Sequence, residues 1–482
     1  MKTAVQLGAG LTKARFRTSK GMLWLEVLAV ACWSVSTWMF FTVASGTWAL
    51  WMRRDGLPQG FLNALEEQGV IHNQTQYADL YVVAAFFACA LLIVPILGLG
   101  GAAARLGAQS KAESLAAMRL VGLSSGQATT IRVIESLATT VAGIVVGIIV
   151  WIAMLPLWSN FTFQTKEIVP NETLLPWWLI LGGIAVLLLL SVASTVLGLR
   201  QVWISPLGVA KRGTQPGVKL VRLMVFAFAL AAFFYYITHT EAADRSVIAG
   251  VSIAGVIMLA LIAAVQVVSP WILQHLVRPG TASGTPSTLL AARRIQADPK
   301  RAWRAVGTLS LMLIVGTFGS VMVEKVFLGN DPLARQLNPG TGIFLDDLRT
   351  GMFITLIFAA IIGGMVGLTQ QASGVIERAD VTKAMDWAGA PVRLHLVARL
   401  KQALFPLATG LTIGVGVGLL LTIILTRGLV TEKSAKYAVL DAGSWQLIGT
   451  TSAVAILLTV IGVVACIPLE RGLLGRHTRR ND

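Results

Sequence analysis

Charge is scarce in this chain. Asp, Glu, Lys and Arg make up 13% of its 482 residues, against 55% hydrophobic residues. Soluble domains carry about 25% charged residues, so an aqueous globular fold is excluded. Cysteine is almost absent as well. Cys32, Cys89 and Cys466 all lie in apolar runs, where they read as packing residues and not as a disulfide framework or metal site. There is no His-rich or Cys-rich cluster and no His-Glu-x-x-His zinc pattern. No stretch has the Gly-x-x-x-x-Gly-Lys-Ser/Thr spacing that cradles nucleotide phosphates; Gly213–Lys219 has the residue types at the wrong spacing. The chain therefore does not bind ATP by that route. Carboxylates deep in the apolar runs are also missing, since Glu26, Glu135 and Glu324 fall near the ends. Ion-coupled carriers keep such groups at mid-membrane because their costly burial serves function, so that class is disfavoured and any substrate path is expected to be apolar.

What the chain has is long apolar segments and a mean hydropathy of +0.73. Spans are expected at 22–50, 80–101, 133–157, 175–199, 222–238, 246–270, 305–327, 350–370, 402–426 and 445–468. Runs of roughly 20 residues cross about 30 Å of hydrocarbon as helices. Leu175–Leu199 shows no strand alternation, and a helix satisfies its own backbone in lipid. The first run is too long for a signal peptide and lacks an evident cleavage site, so an uncleaved first helix is expected.

Lys2, Lys13, Arg15, Arg17 and Lys20 precede the first span and place the N-terminus in the cytoplasm. With sides alternating thereafter, cytoplasmic segments hold 29 of the 39 Lys and Arg, whereas 14 of the 23 Asp and Glu lie outside. An even count of ten spans preserves this bias. The net charge of +16 then reflects anchoring beside anionic lipid, and no nucleic-acid partner is expected. The outer loops are too short for an independent domain. The segment Arg53–Ala78 reads as a plain surface loop in preference to an amphipathic cap. His395, in a basic cytoplasmic helix, reads as a surface histidine.

Two cytoplasmic segments resemble each other. Shifting the first by 267 residues lays Ala117-Met118 on Ala384-Met385, Gly122 on Gly389, Arg132 on Arg399, Gly143 on Gly410 and Gly147 on Gly414. Each segment lies between the second and third spans of a four-span set. Spans one to four and seven to ten thus read as parallel copies of one module, separated by two spans. Gly143, Gly147, Gly410 and Gly414 are spaced for close helix contact, either as static packing or as a sliding seam between modules. Pro95 and Pro406 are candidate kinks.

Arg105-Leu106-Gly107-Ala108, Ala117 to Ser124, Glu135 and Ser205-Pro206-Leu207-Gly208-Val209-Ala210 together resemble the FtsX/MacB-like permease family of ABC transporters. Ala384 to Pro391 is similar to the same element in degenerate form, and Leu289–Arg304 resembles the start of a second module. The resemblance implies an all-α integral membrane protein of ten transmembrane helices. Two parallel four-helix FtsX-like modules, 1–212 and 286–482, would flank a two-helix linker, 213–285, with both termini cytoplasmic.

It also implies coupling helices that dock on a separate ATP-binding cassette ATPase. The implied docking residues are Leu115, Met118, Leu120, Val121 and Gly122, with Ala384, Met385, Trp387 and Gly389 in the second copy; the alternative is an interfacial helix lying on lipid. Two ATPase copies per chain are expected. ATP and Mg would bind the partner, with no cofactor, metal or catalytic residue in this chain. Members with a large extracytoplasmic domain place it in gaps that are short here. The expected function is that of a permease subunit in a bacterial cytoplasmic membrane, exporting or extracting a lipid, hydrophobic peptide or drug. The alternatives are a mechanotransmitting sensor scaffold and an ion-coupled carrier.

Overall fold

A computed structural model describes residues 20–109, 125–203, 224, 226–228, 230–231, 234–235, 247–321, 338–429 and 442–467. The long helices are α1 (Lys20–Met52), α3 (Gln74–Gln109), α4 (Ser125–Met154), α6 (Trp177–Trp203), α7 (Val247–Leu276), α11 (Pro339–Glu377), α13 (Val392–Leu429) and α14 (Ala442–Ala465). Eight segments among the described residues are long and apolar enough to cross a membrane. They answer to eight of the ten expected spans. The seventh is represented by α10 (Gly307–Val321), whose apolar stretch is shorter. Most of the fifth lies outside the described residues.

Between these run short elements. They are α2 (Gln59–Glu67), α5 (Pro170–Thr173), α8 (Pro286–Ala297), α9 (Pro299–Arg304) and α12 (Ala379–Trp387). Strands β1 (Thr162–Phe163) and β2 (Lys166–Glu167) form a small antiparallel hairpin.

Packing follows the same scheme twice. In the N-terminal set α1 lies against α3 and α4, and α6 lies against α3 and α4. In the C-terminal set α10 lies against α11 and α13, and α14 lies against α11 and α13. The sets meet chiefly where α3 runs beside α11. Cys32 of α1 contacts Thr369 of α11 at 3.1 Å, so this cysteine serves packing as expected.

The glycines explain how the helices come so close. A Cβ at Gly147 would stand 2.6 Å from Ser34 O on α1, and one at Gly414 would stand 2.7 Å from Ser310 O on α10. Gly143 faces Val30 and Trp33, and Gly410 faces Val306 and Ser310. Small residues let backbones approach where lipid offers no hydrophobic drive. These seams lie inside each four-helix set and not between the sets. One further step along each helix, Trp151 stacks on Phe41 with ring centroids 5.4 Å apart, whereas Gly418 faces Thr317. Volume removed on one helix is removed on its partner too, and close packing is kept.

The outside of the bundle is apolar. Ile149, Leu189 and Trp177 are 61%, 69% and 73% exposed, as lipid-facing side chains are. Trp177 and Trp178 open α6, at a helix end where interfacial aromatic belts are found. Pro95 and Pro406 lie within α3 and α13, which continue through them.

One expectation fails here. Arg53–Ala78 is not a plain loop but includes α2, an amphipathic cap. Phe61 and Leu65 of α2 are fully buried. They lie four residues apart and so share one face, and they pack beside Ile343 and Phe344 at the outer start of α11.

Candidate functional site

Two polar constructions stand at opposite ends of α11. At the outer end is a clasp between the two helix sets. Phe61, Tyr81 and Phe344 meet edge to face, with Tyr81 and Phe344 centroids 5.0 Å apart. The Gln68 side chain caps α11 from outside it: its Oε1 accepts from Gly340 N at 3.1 Å and Thr341 N at 3.3 Å, and its Nε2 donates to Asn338 Oδ1 at 3.1 Å. A helix start has unpaired N–H groups that need such partners.

The β1–β2 hairpin completes the clasp. Its turn residues Gln164 and Thr165 have φ of 57° and 63°, a conformation that two-residue hairpins require and that normally selects Asn and Gly. Non-glycine residues held there cost about 1–3 kcal/mol each, so surrounding contacts must over-determine the turn. They do. Gln164 N donates to Asp347 Oδ2 at 2.7 Å, and Asp347 Oδ2 also accepts from Tyr81 Oη. Arg53, 6% exposed, donates to Phe163 O and Glu167 O at 2.8 Å each. It also pairs with Glu172 through Nε at 2.8 Å and Nη2 at 2.6 Å, a two-pronged geometry that suits guanidinium. Lys166 Nζ reaches the other Glu172 oxygen at 2.6 Å. Burial alone would raise the Glu172 carboxyl, but hydrogen bonds from Lys166 and Arg53 and their charges outweigh it and hold the group below the usual glutamate range.

At the inner end is α12, between α11 and α13. It stops at Gly389, whose φ of +83° favours a residue without Cβ. Ala390 N donates to Met385 O and Gly389 N to Asp386 O, the paired bonds that close a helix in a Schellman turn. Val381 is 43% exposed and Trp387 77%. Ala384 and Gly389 are also exposed, and Met385 is half-buried. The helix therefore presents a small apolar face away from the bundle. The equivalent segment with Leu115, Met118, Leu120, Val121 and Gly122 lies outside the described residues.

Residues 85–206 match the family model for the FtsX-like permease C-terminal domain. The chain carries an FtsX-like permease domain. The match takes in the second to fourth expected spans, residues 115–122 and Ser205-Pro206. No curated protein matches the chain. FtsX-like permeases are multi-pass transmembrane subunits, not enzymes in themselves, and in general pair with ATP-binding cassette ATPases. The matched quarter of the chain is thus similar to a permease domain, and the eight long apolar helices fit a multi-pass membrane protein.

Sequence reasoning missed the clasp. Its contacts join residues more than a hundred positions apart, such as Arg53 with Glu172 and Tyr81 with Asp347. It also misplaced His395. That residue is not on the surface but 5% exposed, because the start of α13 is covered by α8.

Proposed function

We propose that this chain is the permease subunit of an ABC transporter in a bacterial cytoplasmic membrane. ATP hydrolysis by a separate ATPase would drive movement of a lipophilic substrate, a lipid, hydrophobic peptide or drug. The observation that carries the reading is α11. This one continuous helix of 39 residues, about 58 Å long at 1.5 Å per residue, has the α12 lever at one end and the clasp at the other. An ATPase pressing on Met385 and Trp387 moves the inner end of α11, and a rigid helix carries that displacement to Asp347.

The repeated packing scheme supports two modules, 1–212 and 286–482, with 213–285 between them. Two levers then recruit two ATPase copies, which bind the ATP and Mg. The first lever, at Met118 and Val121, acts on α3 and α4 as the second acts on α11 and α13. Exposed apolar helix faces and short outer loops support a substrate taken laterally from the bilayer.

The test is reconstitution of the chain with its ATPase in proteoliposomes, measuring ATPase rate and lipid or drug flux together. Flux that requires ATP supports the proposal. Stimulated ATPase without flux identifies the alternative, a mechanotransmitting sensor scaffold. Flux driven by an ion gradient with no ATPase present overturns both.

A further inference from the structure

Gln266 lies on α7, in the segment between the two four-helix sets. Its side-chain amide bridges a break in the second set. Oε1 accepts from Trp303 Nε1 at 2.7 Å, and Nε2 donates to Gly307 O at 2.9 Å. Trp303 belongs to α9, which ends at Arg304, and Gly307 opens α10. Between them the helical ladder is interrupted: Val306 N donates to Trp303 O, three residues back in place of four. Such a tightened turn inside a helical run marks a hinge or a point of strain.

The two sides of this joint are unlike. On one side the fit is close. Trp303 is 3% exposed and packs with Leu273 and Val277 of α7. A Cβ at Gly307 would stand 2.7 Å from Gln266 Oε1 and 3.1 Å from Trp303 Nε1, so the missing side chain is what lets the amide reach the backbone. On the other side Ala305 and Val306 line a cavity of roughly 60 Å³, which Gly367 and Gly374 of α11 and Thr382 of α12 also line. Packed interiors leave few such spaces, and this one gives the joint room to bend towards the base of the lever. Arg301 of α9 is tied to α11 as well, its Nη2 donating to Ser373 Oγ at 2.9 Å.

The first set is built differently at this point. Gly147 faces Ser34 and Gly414 faces Ser310, which lays α1 on α10 and puts Val27 in the place of Trp303. Val27 is 64% exposed, and α1 runs unbroken from Lys20 to Met52. The joint is therefore a feature of the second set and of its contact with α7. That helix also reaches the first set. It packs along α3 as well as against α9. Gly255 faces Phe87 of α3, and Met258, Leu261, Ile262 and Val265 enter the core that holds Leu91 and Leu92.

We infer that Gln266 is a positioning residue: it pins the α9–α10 joint to α7, so that a displacement of the second lever passes through α9 and α7 to α3 of the first set. The helix between the modules is then a strap that makes the two sets move together. A neutral amide suits the position, because it offers a donor and an acceptor at once and brings no charge into an apolar zone. The inference rests on the permease reading for what the displacement drives, and not for the pin itself.

The test uses the full chain with Cys32, Cys89 and Cys466 replaced, spin-labelled at Arg304→Cys on α9 and Gly98→Cys on α3. Both positions are exposed, and a Cβ at Gly98 meets open space. Without nucleotide, this parent chain should give a narrow distribution of label distances and Gln266→Leu a broader one. Reconstituted with the ATPase, Gln266→Leu should keep hydrolysing ATP and lose about tenfold in flux per ATP, the scale of one or two lost hydrogen bonds. Trp303→Phe removes one of the two contacts. It should give a smaller change of the same kind, and it replaces Gln266→Leu if that variant does not fold. Leu273→Ala cuts a fully buried side chain beside the joint and leaves both amide contacts. It should melt lower with the distance distribution and flux per ATP of the parent. A distribution as narrow in Gln266→Leu as in the parent overturns the inference. So does equal broadening in Leu273→Ala, which would reduce Gln266 to a packing role. Undiminished flux per ATP in Gln266→Leu overturns the relay to the first set. A parent chain without ATP-dependent flux defeats the permease reading instead, and the distance measurement still decides the pin.

Discussion

Tyr81 on α3 donates its hydroxyl hydrogen to Asp347 on α11 across 2.5 Å, tying the two helix sets together at their outer ends. The same carboxylate oxygen holds the strained turn at Gln164. Asp347 is thus the point where hairpin, N-terminal set and C-terminal set converge. Tyr81→Phe removes one donor and leaves the other in place. We expect a loss of about 1–2 kcal/mol, seen as a lower melting temperature. Asp347→Ala strands both donors and should cost more. Equal melting of wild type and Asp347→Ala would show that the contact holds nothing together.

The Arg53–Glu172 pair sets a pH dependence. Glu172 has its pKa lowered in the folded protein, so its contribution is complete above the ordinary unfolded value near about 4.3. It is lost as pH falls through the lowered folded value. Hydrogen exchange of the β1–β2 hairpin should accelerate on acidification through that range, and Glu172→Gln should flatten the response. Arg53→Leu breaks a buried pair and two carbonyl contacts at once, for an expected cost of about 3–5 kcal/mol. An unchanged acid response in Glu172→Gln counts against this assignment.

Helix contact at the glycines predicts paired effects. Gly147→Val and Gly414→Val each drive a side chain into a facing backbone carbonyl. Overpacking of that kind costs about 1–3 kcal/mol. Gly416, on the same helix as Gly414, has open space where a Cβ would go, so Gly416→Ala should melt like wild type. A larger loss at Gly416 than at Gly414 would reverse the packing assignment.

The lever predicts a loss of partner without a loss of fold. Trp387 is 77% exposed, and surface substitutions usually shift stability by no more than about 0.5 kcal/mol. Met118→Asp with Met385→Asp, and Trp387→Ala alone, should leave membrane insertion intact and reduce ATPase co-purification. Wild-type yields of the partner would remove both segments from the docking surface.

How much of this was legible in the sequence depended on the range of the interaction. Apolar runs such as Leu175–Leu199 announce a span because lipid demands about 20 such residues in sequence. Gly147 and Gly414 stood out because their spacing repeats. Met385 and Trp387 were singled out only through the repeat of Ala117-Met118 at Ala384-Met385 and the resemblance it carries. Long-range partners were not visible. Nothing near Arg53 says that Glu172 will receive it, and Gln164-Thr165 lacks the Asn-Gly signature of its turn. The α2 cap could have been found from Pro58 followed by Phe61 and Leu65 at helical spacing. His395 could not, since a histidine among Arg393, Arg399 and Lys401 reads as solvated until α8 is seen to cover it.

The most direct measurement locks the clasp and watches the substrate. Tyr77→Cys with Thr341→Cys, at side chains that meet across α3 and α11 at 2.9 Å and leave Asp347 in place, in a chain with Cys32, Cys89 and Cys466 replaced, is joined by a short bismaleimide and reconstituted with the ATPase. The linked complex should retain its ATPase and lose ATP-dependent flux, while the unlinked cysteine pair still transports. Undiminished flux through the linked clasp would contradict transmission from α12 along α11 to Asp347.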